Sequence, residues 1–122
     1  MIMVQSTFHL VPETKDEALR LMKNMVRLCR QEHGCLSYEY FEGITDPNQV
    51  VLLQEWESAD ALQGHFETTH MEEFLGKLGR LLRTPVITRS YISQDDEAVV
   101  VAASEESKKK PSSAADGNQT IH

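Results

Sequence analysis

The chain has 122 residues, of which 40% are hydrophobic, and this size fits one domain with one core. Acidic residues outnumber basic ones by 19 to 12, which gives a formal net charge of −7. We therefore expect no nucleic-acid partner and no anionic membrane partner, because both are bound through basic clusters.

The cellular compartment is indicated by the two cysteines, Cys29 and Cys35, and by the N-terminal residues. The first ten residues lack the basic segment and apolar run of a secretion signal. No stretch approaches the roughly 20 apolar residues of a membrane helix. A chain with these features is expected to keep its cysteines reduced, so the sequence predicts a cytoplasmic protein.

The first part of the chain predicts a strand, a helix and a second strand. Residues 3–10 are rich in β-forming side chains. Thr14 and Glu17 match the T-x-x-E capping box, so a helix is predicted from Thr14, with Gly34 in the C′ role at its end. Residues 36–42 alternate apolar and polar side chains, which predicts the second strand.

The middle of the chain predicts a hairpin followed by two helices. A turn at residues 45–48 leads to a third strand at residues 50–56. Ser58 is placed to cap a short helix, and Thr69 with Glu72 forms a second capping box for a longer one. The longer helix carries one apolar stripe formed by Met71, Phe74, Leu75, Leu78, Leu81 and Leu82. Pro85 ends this helix, and a fourth strand is predicted at residues 86–92.

The element order β-α-β-β-α-β, with its second helix broken, predicts an α+β ferredoxin-like fold. Such a fold has a four-stranded antiparallel sheet with helices on one face. Strands two and three carry apolar side chains on both faces, so a monomer would expose an apolar patch. We therefore expect a homodimer, a dimeric α/β barrel, with Tyr40, Val51 and Leu53 as candidates for the shared face.

Composition divides the chain into a domain at residues 1–92 and an acidic tail at residues 93–122. The tail has no aromatic residue and few large apolar side chains, so it is expected to be mostly disordered. Residues 98–103, AVVVAA, are β-prone and could instead add an edge strand.

A family resemblance rests on the stretch from Gln54 to Phe74, QEWESADALQGHFETTHMEEF. A strand that ends in Trp-Glu-Ser is followed by His65, then by Thr-x-His-Met and an aromatic residue. The segment from Gly34 to Glu39 likewise looks like the family's entry to strand two. Over residues 3–92 the chain resembles the antibiotic biosynthesis monooxygenase (ABM) family, in particular its quinol monooxygenase-like group.

The resemblance implies an enzyme that oxidises a quinol, polyphenol or similar aromatic with O2 and needs no flavin, haem or metal. Its substrate would supply the electrons, and the protein a dry aromatic pocket and a general base. Two other readings stay open. One is an isomerase-like branch that acts on a phosphorylated sugar, and the other is a non-catalytic dimeric barrel that binds a small molecule or responds to stress.

Two histidines are the candidate bases, because they bracket the break between the predicted helices. His70 falls near a helix N-terminus, which favours the neutral imidazole that a general base requires. Either His65 or His70 could instead make only a structural hydrogen bond. Trp56, the single tryptophan, could stack on a planar substrate or simply fill the core. The remaining candidate substrate-binding residues are Tyr38, Leu52, Leu62, Phe66 and Phe74.

The same stretch argues against metal and haem. The spacing between His65 and His70 differs from H-E-x-x-H, in which both rings share one helical face, so no metal site is expected. The haem-degrading relatives use an asparagine, a tryptophan and an axial histidine at positions that are Ser6, His65 and Phe74 here. Many relatives also have a glutamate where this chain has Gln54.

Overall fold

The structure is a computed structural model that describes residues 1–93 and 118–119. Its strands are β1 Ile2–His9, β2 Cys35–Glu42, β3 Gln49–Trp56, β4 Ile87–Ile92 and the short β5 Asn118–Gln119. Its helices are α1 Lys15–Cys29, α2 Ala59–Phe66 and α3 Thr69–Leu78, with 3-10 turns at Pro12–Thr14 and Gly79–Leu81. This order confirms the predicted ferredoxin-like α+β fold.

The strands lie in the order β2-β3-β1-β4-β5, and every neighbouring pair is antiparallel. In the centre of the sheet, Ser6 lies opposite Leu52. Alternate residues of β3 are buried, beginning with Val50 and ending with Trp56. The side chains that point to the helices therefore form the core, and none of the described helices covers the other face of the sheet.

The predicted dimer-face residues divide between the two faces of the sheet. Val51 and Leu53 lie on the helix-free face, because they alternate with the buried residues of β3. The prediction for Tyr40 was wrong. Tyr40 pairs with the buried Leu52 and packs against the core, so it lies on the helix side.

The helix starts confirm one predicted cap and correct two. Ser58 caps α2, since its hydroxyl accepts a hydrogen bond from the Ala61 amide at 3.1 Å. Thr14 makes no such bond, because the 3-10 turn Pro12–Thr14 leads directly into α1. Thr68, rather than Thr69, caps α3 by accepting from the Met71 amide at 3.2 Å.

Two further predictions about the helices were wrong. Helix α1 ends at Cys29, so Gly34 lies beyond it in a separate turn and does not serve as its C′ residue. Leu75 was counted in the apolar stripe of α3, yet it is 55% exposed, whereas Phe74 and Leu78 are buried. The buried stripe is therefore narrower than the spacing suggested.

Residues 98–103, proposed as an edge strand, lie outside the described residues. Within the tail, the structure describes only Asn118–Gln119 beyond Ser93, and these two residues pair with Tyr91 and Ser90 of β4. Among the residues that the structure describes, no helix is long and apolar enough to cross a membrane.

Candidate functional site

The site begins in the turn between α1 and β2. The Glu32 amide donates to the Cys29 carbonyl at the end of α1, and the Cys35 amide donates to the Glu32 carbonyl at 3.2 Å. A carboxylate just past a helix C-terminus meets the negative end of the helix dipole, which disfavours it there. Glu32 therefore needs compensating partners from elsewhere in the chain.

Gly34 places this turn against α2. Its φ of +82° lies in the left-handed region, and its carbonyl accepts a hydrogen bond from the Glu57 amide at 2.9 Å. A Cβ at Gly34 would lie 2.4 Å from the Cβ of Ala61 in α2. Only glycine permits this approach, which brings Glu32 beside the helix that carries His65.

Glu32 bridges the two histidines that the sequence singled out. His65 Nδ1 donates to both Glu32 carboxylate oxygens at 3.1 Å, and His70 Nε2 donates to Oε2 at 2.6 Å. Exposure of the side chains increases outward, from 0% for His65 through 12% for Glu32 to 24% for His70. One carboxylate thus links a buried imidazole to a partly exposed one.

The environment separates the charge states of Glu32 and His65. Burial acts to raise the pKa of Glu32, but the hydrogen bonds from His70 and His65 outweigh it and lower that pKa below its usual value. Burial lowers the pKa of His65, although Glu32 opposes this effect through its hydrogen bond and its charge. The arrangement therefore favours an ionised Glu32 beside a neutral His65.

Three aromatic rings contact His65. The ring centroids of Trp56, Tyr38 and Phe66 lie 4.8, 5.8 and 5.6 Å from that of His65. Trp56 is fully buried, and its indole N–H donates to Gln54 Oε1 at 2.8 Å. Trp56 therefore both fills the core and forms a wall beside His65.

The other predicted pocket residues contribute to the hydrophobic core. Leu52 and Phe74 are buried members of the core cluster, and Leu62 packs against it. Phe66 is 48% exposed, although its ring contacts His65. The structure thus gathers Tyr38, Trp56 and Phe66 around His65, and holds His70 on Glu32.

Sequence reasoning missed Glu32, the residue that joins the two histidines. The contacts span 33 and 38 positions along the chain, so no local spacing reveals them. A weaker signal was present. An acidic residue just after a helix C-terminus opposes the helix dipole, which indicates a charged or hydrogen-bonded partner elsewhere in the fold.

One group of side chains could hold a cation. Among the described residues, donor atoms of Cys29, Glu32 and His70 all lie within 4.8 Å of one another. Burial raises the pKa of the Cys29 thiol to about 12, and Glu32 is already engaged by two histidines. A metal ion would have to displace the thiol proton and these hydrogen bonds, so the expectation of a metal-free site stays a prediction.

The fold and this site define a small α+β protein in which a partly buried glutamate is paired with a buried histidine among aromatic rings. The family model described as "Antibiotic biosynthesis monooxygenase" (ABM) matches residues 1–77. The chain belongs to this family, as its sequence resemblance indicated.

Three proteins similar to this chain each cover most of its length. "Putative monooxygenase YcnE" of Bacillus subtilis is 32% identical over 95 residues, which cover 77% of this chain and 100% of that protein. "Uncharacterized protein sll1783" of Synechocystis is 31% identical over 90 residues, which cover 74% of this chain. The chain spans only 61% of that relative's length. The solved structure of Rv0793 from Mycobacterium tuberculosis has a TM-score of 0.75 at 26% identity, and the match covers 80% of this chain and 98% of that one.

Proposed function

We propose that this protein is a cofactor-independent monooxygenase that oxidises a quinol, polyphenol or similar aromatic with O2, and that His65 is its general base. The observation that carries the proposal is the Glu32-bound, buried His65, whose Nε2 has no partner within the described part of the chain. Membership of the ABM family and relatives named as putative monooxygenases support the reaction class.

The hydrogen bonds assign the tautomer of His65. An ionised carboxylate can only accept, so the proton between Glu32 and His65 belongs to Nδ1. Nε2 of the neutral ring then carries a lone pair, and burial keeps the ring neutral by lowering its pKa. A carboxylate that orients an imidazole in this way also serves the base of the Ser-His-Asp triad.

The aromatic surroundings suit the proposed reaction. His65 Nε2 takes a hydroxyl proton from the substrate, and the electron-rich anion then passes electrons to O2. A quinol and O2 give a hydroxyquinone and water, so one oxygen atom enters the product and the substrate supplies every electron. Trp56, Tyr38 and Phe66 would form the wall of the site and keep bulk water from the anion.

We propose for His70 a different role from that of general base, which the sequence suggested. It binds Glu32 at 2.6 Å from the more exposed side. We assign it as a positioning residue that holds the carboxylate in place for His65. Its replacement would then act through Glu32 and the protonation of His65.

The test is O2 uptake with a panel of small quinols, measured before and after removal of metal by chelation. We expect uptake above autoxidation, with a hydroxyquinone product and no loss after chelation. Uptake no faster than autoxidation across the panel would refute the proposal. Activity that is lost on chelation and restored by a metal would refute its metal-free part, and would point to Cys29, Glu32 and His70.

We predict that Glu32→Gln shifts the pH dependence of this activity to lower pH. The rate rises as pH increases through the pKa of His65, because only the neutral ring can accept a proton. Burial holds that pKa below its ordinary value of 6.5, while Glu32 raises it. Removal of the Glu32 charge lets the pKa fall further, and the plateau rate drops by about tenfold or more because the tautomer is no longer fixed.

Initial rates over the acidic and neutral range measure this shift. Glu39→Gln is the matched control, because Glu39 is half exposed and pairs with Arg30. An unchanged profile in Glu32→Gln, or an equal shift in both variants, would show that Glu32 does not act on His65.

We also propose that the protein is a homodimer whose two sheets meet at their helix-free faces. Phe41 and Ile87 pair with Val51 and Thr7 on that face, and they are 50% and 45% exposed. Exposed apolar patches of this kind mark interaction surfaces. A second copy of the chain would cover the patch.

We predict that Phe41→Lys converts the dimer to a monomer at micromolar concentration, because it places a charge in the apolar contact. Sedimentation equilibrium measures the change in mass. Ile44→Lys is the control, since Ile44 is fully exposed in the β2–β3 turn. A wild-type protein that sediments as a monomer would refute the proposed dimer.

A further inference from the structure

Two buried polar side-chain atoms have no hydrogen-bond partner within the described residues. They are the Tyr40 hydroxyl and His65 Nε2. Folded proteins satisfy the large majority of such atoms, because an unpaired buried polar group loses its hydrogen bonds to water without replacement. Each of the two atoms could therefore form a hydrogen bond with a polar group of a ligand.

The two atoms belong to rings that both contact the same neighbour, Tyr38. The Tyr38 ring centroid lies 6.0 Å from that of Tyr40 and 5.8 Å from that of His65, with an edge-to-face arrangement in both cases. Tyr38 and Tyr40 share the helix side of β2, and His65 belongs to α2. Both unpaired atoms thus belong to one aromatic layer between β2 and α2.

The two atoms differ in what they can offer a ligand. His65 Nε2 accepts a hydrogen bond, because Nδ1 carries the ring proton. Burial raises the pKa of Tyr40, so its hydroxyl stays protonated and can donate. The nearby Tyr38 hydroxyl lowers the pKa of Tyr40, which opposes the effect of burial. Its position does not give the Tyr40 hydroxyl a hydrogen bond of acceptable geometry.

We infer that Tyr40 and His65 bind the two oxygens of one aromatic diol, and that Tyr40 sets the preference for a diol over a monophenol. This inference rests on the proposed function and adds a specificity residue to it. One substrate hydroxyl donates to His65 Nε2, and the second oxygen accepts from the Tyr40 hydroxyl. A monophenol leaves Tyr40 unpaired and binds more weakly.

The test compares ligands that differ by one oxygen, under anaerobic conditions where no oxidation occurs. Hydroquinone is paired with 4-methylphenol, and 1,4-dihydroxynaphthalene with 1-naphthol in case the site takes two rings. Quenching of Trp56, the single tryptophan and a neighbour of His65, reports binding. We expect the diol of a pair to bind about 3–10-fold more tightly, which corresponds to one added hydrogen bond.

Tyr40→Phe should remove this preference, so that both members of a pair bind equally. Tyr91→Phe is the matched control and should keep it, because Tyr91 lies opposite Met3 in the sheet, away from this cluster. Without ligand, Tyr40→Phe should be at least as stable as wild type, since it removes an unpaired buried hydroxyl.

Equal binding of diol and monophenol by wild type would overturn the inference, as would a preference that survives Tyr40→Phe. Either result is compatible with O2 uptake and would leave the proposed monooxygenase in place. A normal diol preference without O2 uptake would refute the proposed reaction and retain the two contacts. If no phenol binds to wild type, both proposals fail.

Discussion

Replacement of His65 by alanine should lower the rate of quinol oxidation by about 10²–10⁴-fold, the usual contribution of a general base. His65 is the imidazole with no side-chain exposure, a lone pair free at Nε2, and a carboxylate fixed on Nδ1. Without it, the site loses the group that accepts the substrate proton. The measurement is kcat from initial O2 uptake, corrected for autoxidation.

Two comparisons separate catalysis from folding. His33→Ala removes a histidine from the same turn as Glu32, but its side chain is 92% exposed, so its kcat should match wild type. Added imidazole should partly restore His65→Ala, because the vacated ring space admits a free base. A folded His65→Ala protein with wild-type kcat would rule out His65 as the base.

The order of strands and helices was predictable, because the patterns that indicate them involve residues close together in the sequence. Alternation along β3 indicates which side chains face the helices, and that face includes both Leu52 and Trp56. Ser58 was recognisable as a cap, because its hydroxyl needs only an amide three residues ahead. The error at Thr69 is a shift of one residue, because the preceding Thr68 supplies the cap. The Thr14 hydroxyl donates instead to the Val11 carbonyl, so it does not cap α1.

Only part of the candidate site was predictable, because some of its contacts join residues far apart in the sequence. The break between α2 and α3 lies between His65 and His70, and it is visible in the sequence. Their shared partner, Glu32, cannot be recognised from the sequence. It follows the C-terminal end of α1 and contacts the two histidines only in the folded chain. Tyr40 was likewise assigned to the wrong face, since an apolar strand with large side chains on both sides does not reveal which side the helices cover.

Gly34→Ala should cost about 2–5 kcal/mol of unfolding free energy. The left-handed backbone of Gly34 costs an alanine about 1–2 kcal/mol. The added methyl group would also lie 2.4 Å from Ala61 Cβ, and such overpacking typically costs about 1–3 kcal/mol. Chemical denaturation measures the loss. Gly64→Ala is the control, because a Cβ there meets nothing within 4 Å and alanine favours a helix interior.

Gly34→Ala also tests whether the turn between α1 and β2 holds Glu32 beside His65. If the methyl group added by Gly34→Ala forces the turn away from α2, Glu32 moves away from His65, because Gly34 and Glu32 share that turn. The remaining activity of Gly34→Ala should then show its pH inflection displaced downward, in the same direction as Glu32→Gln. Gly64→Ala should keep both the wild-type inflection and a free energy of unfolding equal to or slightly above wild type. A Gly34→Ala protein within about 0.5 kcal/mol of wild type, with an unmoved inflection, would show that the tight approach to Ala61 does not hold Glu32 in place.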